Sequence, residues 1–246
     1  MDEPAHTLLL GGRRHRVLGV MKEDRYARST LLEEEGGRRL VLKEAILVVP
    51  PGVRVPPLAV LMARHEADLY ELLAGIPGIP RLAGRPRPDA FLREFVEGET
   101  VRDTAVLPAG FFDSLEGVLR AIHGRGVAYV DLAKEENVIA GADGRAWLID
   151  FQVSIARRGP LRPFVGMLQK EDLYHLSKMR LGRAPGEATE EDRRRVTGRG
   201  RLGRLHRATV KRAYNILTRH LVKRWSGAGE GKRKTTGDGA VKRRNR

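Results

Sequence analysis

Two acidic segments hold the residues of this chain best suited to chemistry: Tyr129-Val130-Asp131-Leu132-Ala133-Lys134-Glu135-Glu136-Asn137 and Trp147-Leu148-Ile149-Asp150-Phe151-Gln152. Each sets a carboxylate at the end of a strand-like apolar run. A loop carboxylate can orient an attacking hydroxyl and take its proton, while an amide oxygen and a second carboxylate can hold Mg²⁺ against phosphates. Asp131 is the candidate for the first task, Asn137 and Asp150 for the second. The plain alternative is two exposed turn acids. The order of the two motifs, with a hairpin signal between them, argues for the chemistry.

The N-terminal half offers the complementary groups. Val41-Leu42-Lys43 places a lysine on an apolar strand, where it can meet phosphates, and a following helix offers Glu66 to hold it, with Glu71 as a competitor. Phe91-Leu92-Arg93-Glu94-Phe95-Val96-Glu97-Gly98 reads as a hinge whose backbone groups, at Glu94 and Val96, would pair an adenine ring.

The elements that must position these residues follow from periodicity. Strand-like runs span Thr7 to Leu10, His15 to Val20 and Arg39 to Val48, with Glu33 to Gly37 as a turn. Pro56-Pro57 introduces a helix over 58–74, with Leu58, Leu61, Leu69, Leu72 and Leu73 on or near one face and Gly75 as its stop. A strand over Ala90 to Val96 follows, then a helix marked by Phe111, Leu115, Val118, Leu119 and Ile122 and closed at Gly124 and Gly126. Short strands at Val127 to Val130, Asn137 to Ala140 and Ala146 to Phe151 include a hairpin at Gly141-Ala142-Asp143-Gly144. Farther on, Val210, Tyr214, Leu217, Leu221 and Trp225 line one face of a basic helix, and 226–246 reads as a disordered basic tail.

In motif order, residues 15–180 resemble the protein-kinase-like superfamily, and within it small atypical bacterial members similar to RIO kinases and lipopolysaccharide core sugar kinases. The resemblance implies an α+β, two-lobed fold: a small N-terminal antiparallel sheet plus one helix through residue 96, a helical C-terminal lobe over 97–225, then the tail. It implies ATP and Mg²⁺ as cofactors, Asp131 as the loop base, Asn137 and Asp150 as metal ligands, and Lys43 with Glu66 as the phosphate-contacting ion pair. The sequence also departs from the pattern. Tyr129-Val130 replace His-Arg, and Asn137 lies six residues after Asp131 rather than five, with Glu136 in the fifth place. Gln152 replaces the glycine of Asp-Phe-Gly, no Ala-Pro-Glu follows, and of the glycine-rich loop only Gly19 remains in Leu18 to Arg28. Lys22, Arg25 or Arg28 would have to compensate by charge.

Composition bounds the reading. The 246 residues are 41% hydrophobic and lack cysteine, which excludes a disulfide framework and thiolate metal sites. Met1-Asp2-Glu3-Pro4 does not open a signal peptide, and the longest apolar runs are too short to span a bilayer. A cytoplasmic protein is expected, with an anionic membrane surface as an alternative location. Residues 1–150 carry 20 Lys/Arg against 23 Asp/Glu and residues 151–246 carry 26 against 8, so the net +15 resides in the C-terminal part. Residues 190–246 are therefore the candidate contact for a polyanionic partner, RNA or an anionic membrane. Gly198-Arg199-Gly200-Arg201-Leu202-Gly203 matches a dinucleotide fingerprint in letters only, because no strand precedes it.

Three functions are consistent with these features. The first is a kinase acting on a hydroxyl acceptor, either protein Ser/Thr or a core sugar. The second is a catalytically weak kinase-fold module that binds anionic partners, and the third is a nucleic-acid-binding protein.

Overall fold

Turn backbones and cross-strand pairs build the N-terminal sheet. The computed structural model describes residues 7–24, 26–49, 53–54, 56–157 and 163–198. Strands β1 (Thr7–Leu10) and β2 (Arg13–Glu23) join at Gly11-Gly12, both at positive φ, the backbone a two-residue hairpin needs. They continue into β3 (Ala27–Glu34) and β4 (Arg39–Ala45). After a short pair, β5 (Val48–Val49) and β6 (Val53–Arg54), and helix α1 (Pro56–Leu72), the chain returns as β7 (Leu82–Arg87) and β8 (Ala90–Glu94). The order is β1-β2-β3-β4-β8-β7, antiparallel throughout.

Two strands depart from the sequence expectation. Glu33 and Glu34, expected in a turn, belong to β3, where Arg16 pairs with Glu33 and Arg13 with Glu34 across β2. Cross-strand charge pairing carries the strand further than its hydrophobic pattern suggests. Strand β7 contains Gly84 and Pro86 and stands at the sheet end, where proline removes no ladder bond.

Opposed residues share a face, so the registers sort the sheet into two sides. Leu10, Leu32, Leu40, Leu42, Ala90 and Leu92 form a small core on one side. Lys43, opposite Phe91 and Ser29, faces the other side, toward α1. The helix turns Ala59, Ala63, Glu66, Ala67, Leu69 and Tyr70 inward. Leu61, expected on the buried face, is 55% exposed instead. The small alanines let α1 approach the sheet closely, and the inward stripe of Ala59, Ala63, Glu66, Ala67, Leu69 and Tyr70 leaves Leu61 on the outer side.

The second lobe is mainly helical. Helix α2 (Phe111–Gly124) buries Phe111, Phe112, Leu115, Val118, Leu119 and Ile122, as its spacing predicts. Strand β9 (Gly98–Thr100) pairs with β11 (Val138–Gly141), which also pairs with β12 (Ala146–Leu148), while β10 (Val127–Ala128) pairs with β13 (Ile155–Ala156). Gly98 has φ 147°, and a Cβ there would lie 2.2 Å from the Ala140 carbonyl oxygen, so only glycine permits this pairing. Helices α3 (Val165–Arg183) and α4 (Glu190–Thr197) complete the described part. Buried Asp192 fastens them: it accepts from Ser177 Oγ at 2.7 Å, Arg180 Nη1 at 3.0 Å and Thr189 Oγ1 at 2.7 Å.

The main core runs from α1 and β8 through α2 to α3 and joins the lobes. Residues 1–196 form one compact unit, distinct from 197–246. The expected basic helix around Val210 to Trp225, the Gly198 to Gly203 run beyond its first residue, and the tail 226–246 lie outside the described residues. No helix among the described residues is long and apolar enough to cross a membrane.

Candidate functional site

A buried ionic triad joins the two lobes. Lys43 Nζ on β4 lies 2.8 Å from the Glu66 carboxylate on α1 and 2.8 Å from Asp150 Oδ1, just after β12. Lys43 is 8% exposed and Glu66 2%. Burial alone would discharge the lysine, but the carboxylates of Glu66 and Asp150 hold its pKa well above the usual range. Burial raises the Glu66 carboxyl despite Lys43. Burial would raise Asp150 too, yet Lys43 outweighs it and keeps that carboxyl below its ordinary value. Glu71, the rival on the helix, is exposed and pairs with Arg85 at 2.9 Å.

The backbone around both acidic motifs is anchored and strained. Val130 has φ 74° and Asp150 φ 66°, left-handed values that aspartate tolerates and that a β-branched residue holds only under external constraint. The constraint on Val130 is Asp172 of α3, 1% exposed, which accepts the N–H of Tyr129 at 2.8 Å and of Val130 at 2.7 Å. His123 Nε2 lies 3.0 Å from the same carboxylate. At Asp150, the N–H donates to Tyr70 Oη at 3.3 Å, and the Phe151 N–H donates to Glu66 Oε1 at 3.2 Å. An aromatic ladder supports both. Ring centroids step from Phe91 to Tyr70 (5.6 Å), Tyr70 to Phe151 (5.0 Å) and Phe151 to Tyr129 (5.3 Å). Tyr129 stands where the expected motif has histidine, and its hydroxyl donates to the Ile149 carbonyl.

The added loop residue is absorbed by a single 3₁₀ turn, Glu135–Asn137. The turn sends Asn137 inward: it is 2% exposed and donates Nδ2 to Asp131 Oδ2 at 3.1 Å. Its carbonyl accepts the Ile149 N–H at 3.1 Å, beside Asp150. Glu136 points the other way, to Lys22 Nζ at 2.9 Å and Arg102 Nη1 at 3.1 Å. Of the two residues competing for the amide position, the inward one is therefore Asn137. Of the compensating charges, Lys22 reaches this loop and Arg28 is bound to Glu23 at 2.9 Å; Arg25 lies outside the described residues.

At the hinge, the Glu94 N–H donates to Arg81 at 2.9 Å and the Phe95 N–H to Arg39 at 3.2 Å. The Glu94 side chain pairs with Arg38 at 2.9 Å, and Val96 is buried. Arg93, only 6% exposed, donates Nη1 to the Glu94 carbonyl at 2.9 Å, so an adenine amino group would have to share that oxygen. Gly19 stands opposite Leu31 on β3, beside a register shift in β2, and a Cβ there would meet nothing within 4 Å.

The structure thus brings together Lys43, Glu66 and Asp150, and separately Asp131 and Asn137. It adds residues that the sequence reading did not single out. Lys134 Nζ lies 2.7 Å from Asp131 Oδ2, a one-turn spacing visible in the sequence. Asp172, Arg93 and Arg102 gave no sequence signal, since each depends on contacts across distant segments.

No protein-family model matches the sequence, and no curated protein matches it by sequence. Among solved structures the chain is similar to the Rio2 kinase of Chaetomium thermophilum, with a TM-score of 0.53 and 17% identity over 73% of this chain. It is also similar to the same kinase in an ADP/Mg²⁺–phosphoaspartate complex, with a TM-score of 0.52 and 17% identity over 86% of this chain. The matches span 63% of the first chain and 72% of the second. The fold is protein-kinase-like: a two-lobed α+β architecture with an antiparallel N-terminal sheet, one helix against it, and a helical second lobe.

Proposed function

We propose that the chain is an ATP-dependent phosphotransferase that moves the γ-phosphoryl group of ATP to a hydroxyl, with Ser/Thr of a protein as the acceptor. The observation that carries this reading is the buried Lys43–Glu66–Asp150 triad, set beside the Asp131–Asn137 pair. The likeness to Rio2 kinase, one structure of which holds ADP and Mg²⁺, supports it.

The donor set fits the metal. No three His, Cys, Asp or Glu side chains among the described residues form a metal cluster. Mg²⁺ takes one or two carboxylates and completes its shell with phosphate oxygens and water. Asp150, kept ionised by Lys43, and the amide oxygen of Asn137 are such donors, and Mg²⁺ bound there would neutralise phosphate charge.

The chain's own residues do the rest. Lys43, held by Glu66, turns its ammonium toward the phosphates, and nucleotide phosphates would share it with Asp150. Asp131 accepts the hydrogen bond of the acceptor hydroxyl and orients it, and receives its proton as the bond from that oxygen to the γ-phosphorus forms and the bond from the γ-phosphorus to the β-phosphate oxygen breaks, releasing ADP. Lys134, with Nζ 2.7 Å from Oδ2, holds the Asp131 carboxylate in place. The Glu94 carbonyl and the Val96 backbone hold the base. The basic residues 190–246 would draw a polyanionic partner such as RNA to the protein.

The test follows thermal unfolding with Mg·ATP, together with acceptor phosphorylation and ATP hydrolysis, for wild type, Asp150→Ala and Asp131→Ala. A wild-type shift lost in Asp150→Ala, with turnover lost in Asp131→Ala, is expected. No shift at millimolar nucleotide overturns the reading.

A further inference from the structure

A second ion bridge crosses the cleft near the triad. Two register shifts in β2, between Val17 and Gly19 and between Val20 and Lys22, set Lys22 opposite Ser29, which in turn stands opposite Lys43. The two lysines therefore occupy one row on the cleft face of the sheet. Without the second shift, Met21 would oppose Ser29 and Lys22 would turn to the outer face.

From that row Lys22 Nζ reaches the other lobe and meets Glu136 Oε1 at 2.9 Å, while Arg102 Nη1 holds Oε2 of the same carboxylate at 3.1 Å. The side chains of Lys22, Glu136 and Arg102 are 50%, 33% and 68% exposed, and pairs this open to water add little to folding. The bridge contributes little to the fold, and the register shift in β2 is what sets Lys22 in the row from which it is made.

Two cations grip one carboxylate beside the loop that bears Asp131. A phosphate offers the same cations more charge and more acceptor oxygens. Resting on the phosphotransferase reading, we propose that Lys22 and Arg102 are nucleotide-phosphate contacts, and that Glu136 is a built-in stand-in anion which the triphosphate displaces on binding. The carboxylate in the position expected for the loop amide thereby sets nucleotide affinity, and the cations substitute for the backbone cradle of the missing glycine-rich loop.

Calorimetric titration of the full chain with Mg·ATP and with adenosine tests this in wild type, Glu136→Gln and Lys22→Met. Glu136→Gln is expected to tighten Mg·ATP binding by about threefold to tenfold and leave adenosine unchanged, since it removes the competing charge. Lys22→Met is expected to weaken Mg·ATP by about tenfold, again without an effect on adenosine. If Glu136→Gln binds Mg·ATP no tighter than wild type, the inference is overturned while the phosphotransferase reading stands; weaker binding would make Glu136 a metal ligand instead. Failure of the wild type to bind Mg·ATP at all overturns both.

Discussion

Replacing Lys43 with methionine isolates the electrostatics of the triad. Methionine fills the space of the lysine stem, so the change is chiefly the loss of a charge from between Glu66, at 2% exposure, and Asp150. Removing one partner of a buried pair costs about 3–5 kcal/mol, because the remaining charge is left in a medium that solvates it poorly. Glu66 has an escape, since burial already raises its carboxyl pKa and the loss of Lys43 raises it further. A carboxyl whose folded pKa exceeds its unfolded value of about 4.3 binds more protons in the folded state between the two values, so the variant gains stability as pH falls through that window. The expected deficit of Lys43→Met is therefore about 3–5 kcal/mol at pH 8 and smaller at pH 5, where Glu66 takes up a proton more readily than it does in the wild type. Urea denaturation at the two pH values measures it. Lys43→Met/Glu66→Gln is expected to be more stable than Lys43→Met at pH 8, by a margin that narrows at pH 5. A deficit that is unchanged or larger at pH 5 refutes the argument.

Two further predictions concern the supports of the site. Asp172→Ala leaves the buried N–H groups of Tyr129 and Val130 without their acceptor. A loss of about 2–4 kcal/mol is expected by calorimetry, with a fall in turnover as Val130 leaves its φ of 74° and Asp131 moves with it. Asp192 is buried, which alone would raise its carboxyl, but bonds from Ser177, Thr189 and Arg180 bring it down to about 2. With the unfolded value near about 3.9, its contribution of about 2 kcal/mol is fully present above pH 4 and is lost between about pH 4 and 2. Asp192→Asn should flatten that part of the acid-unfolding curve, and an unchanged slope would contradict the assignment.

What the sequence revealed, and what it hid, divides along a physical line. Lys43 and Asp150 were legible because each is a charged residue ending a short apolar run, an arrangement that local pattern exposes. Helix α2 was legible because its five marker positions repeat at helical spacing and all five are buried. Strand β3 was not, because its stability comes from partners on β2 and β4 rather than from its own alternation. The buried face of α1 was read in part: Leu69 and Leu73 are in the core, but Leu61 is exposed while Ala59, Ala63 and Ala67 face the sheet, where close approach favours the smaller side chain. Asp172 was invisible, since nothing in a mid-helix aspartate announces that its partners are backbone groups more than 40 residues earlier.

The loop insertion shows how such a departure is accommodated. A residue added between Asp131 and Asn137 would, on an extended backbone, turn the amide away and bring Glu136 inward. The single turn Glu135–Asn137 takes up the extra length, so Asn137 keeps its contact with Asp131 and Glu136 is delivered to the rim. The ends of the loop are held from outside it, by Asp172 at Val130 and by the Ile149 N–H at the Asn137 carbonyl. With both ends fixed, the length change has to appear in the middle, at the exposed positions where it costs least. The longer spacing therefore leaves Asn137 hydrogen-bonded to Asp131 and places the Glu136 carboxylate within reach of Lys22.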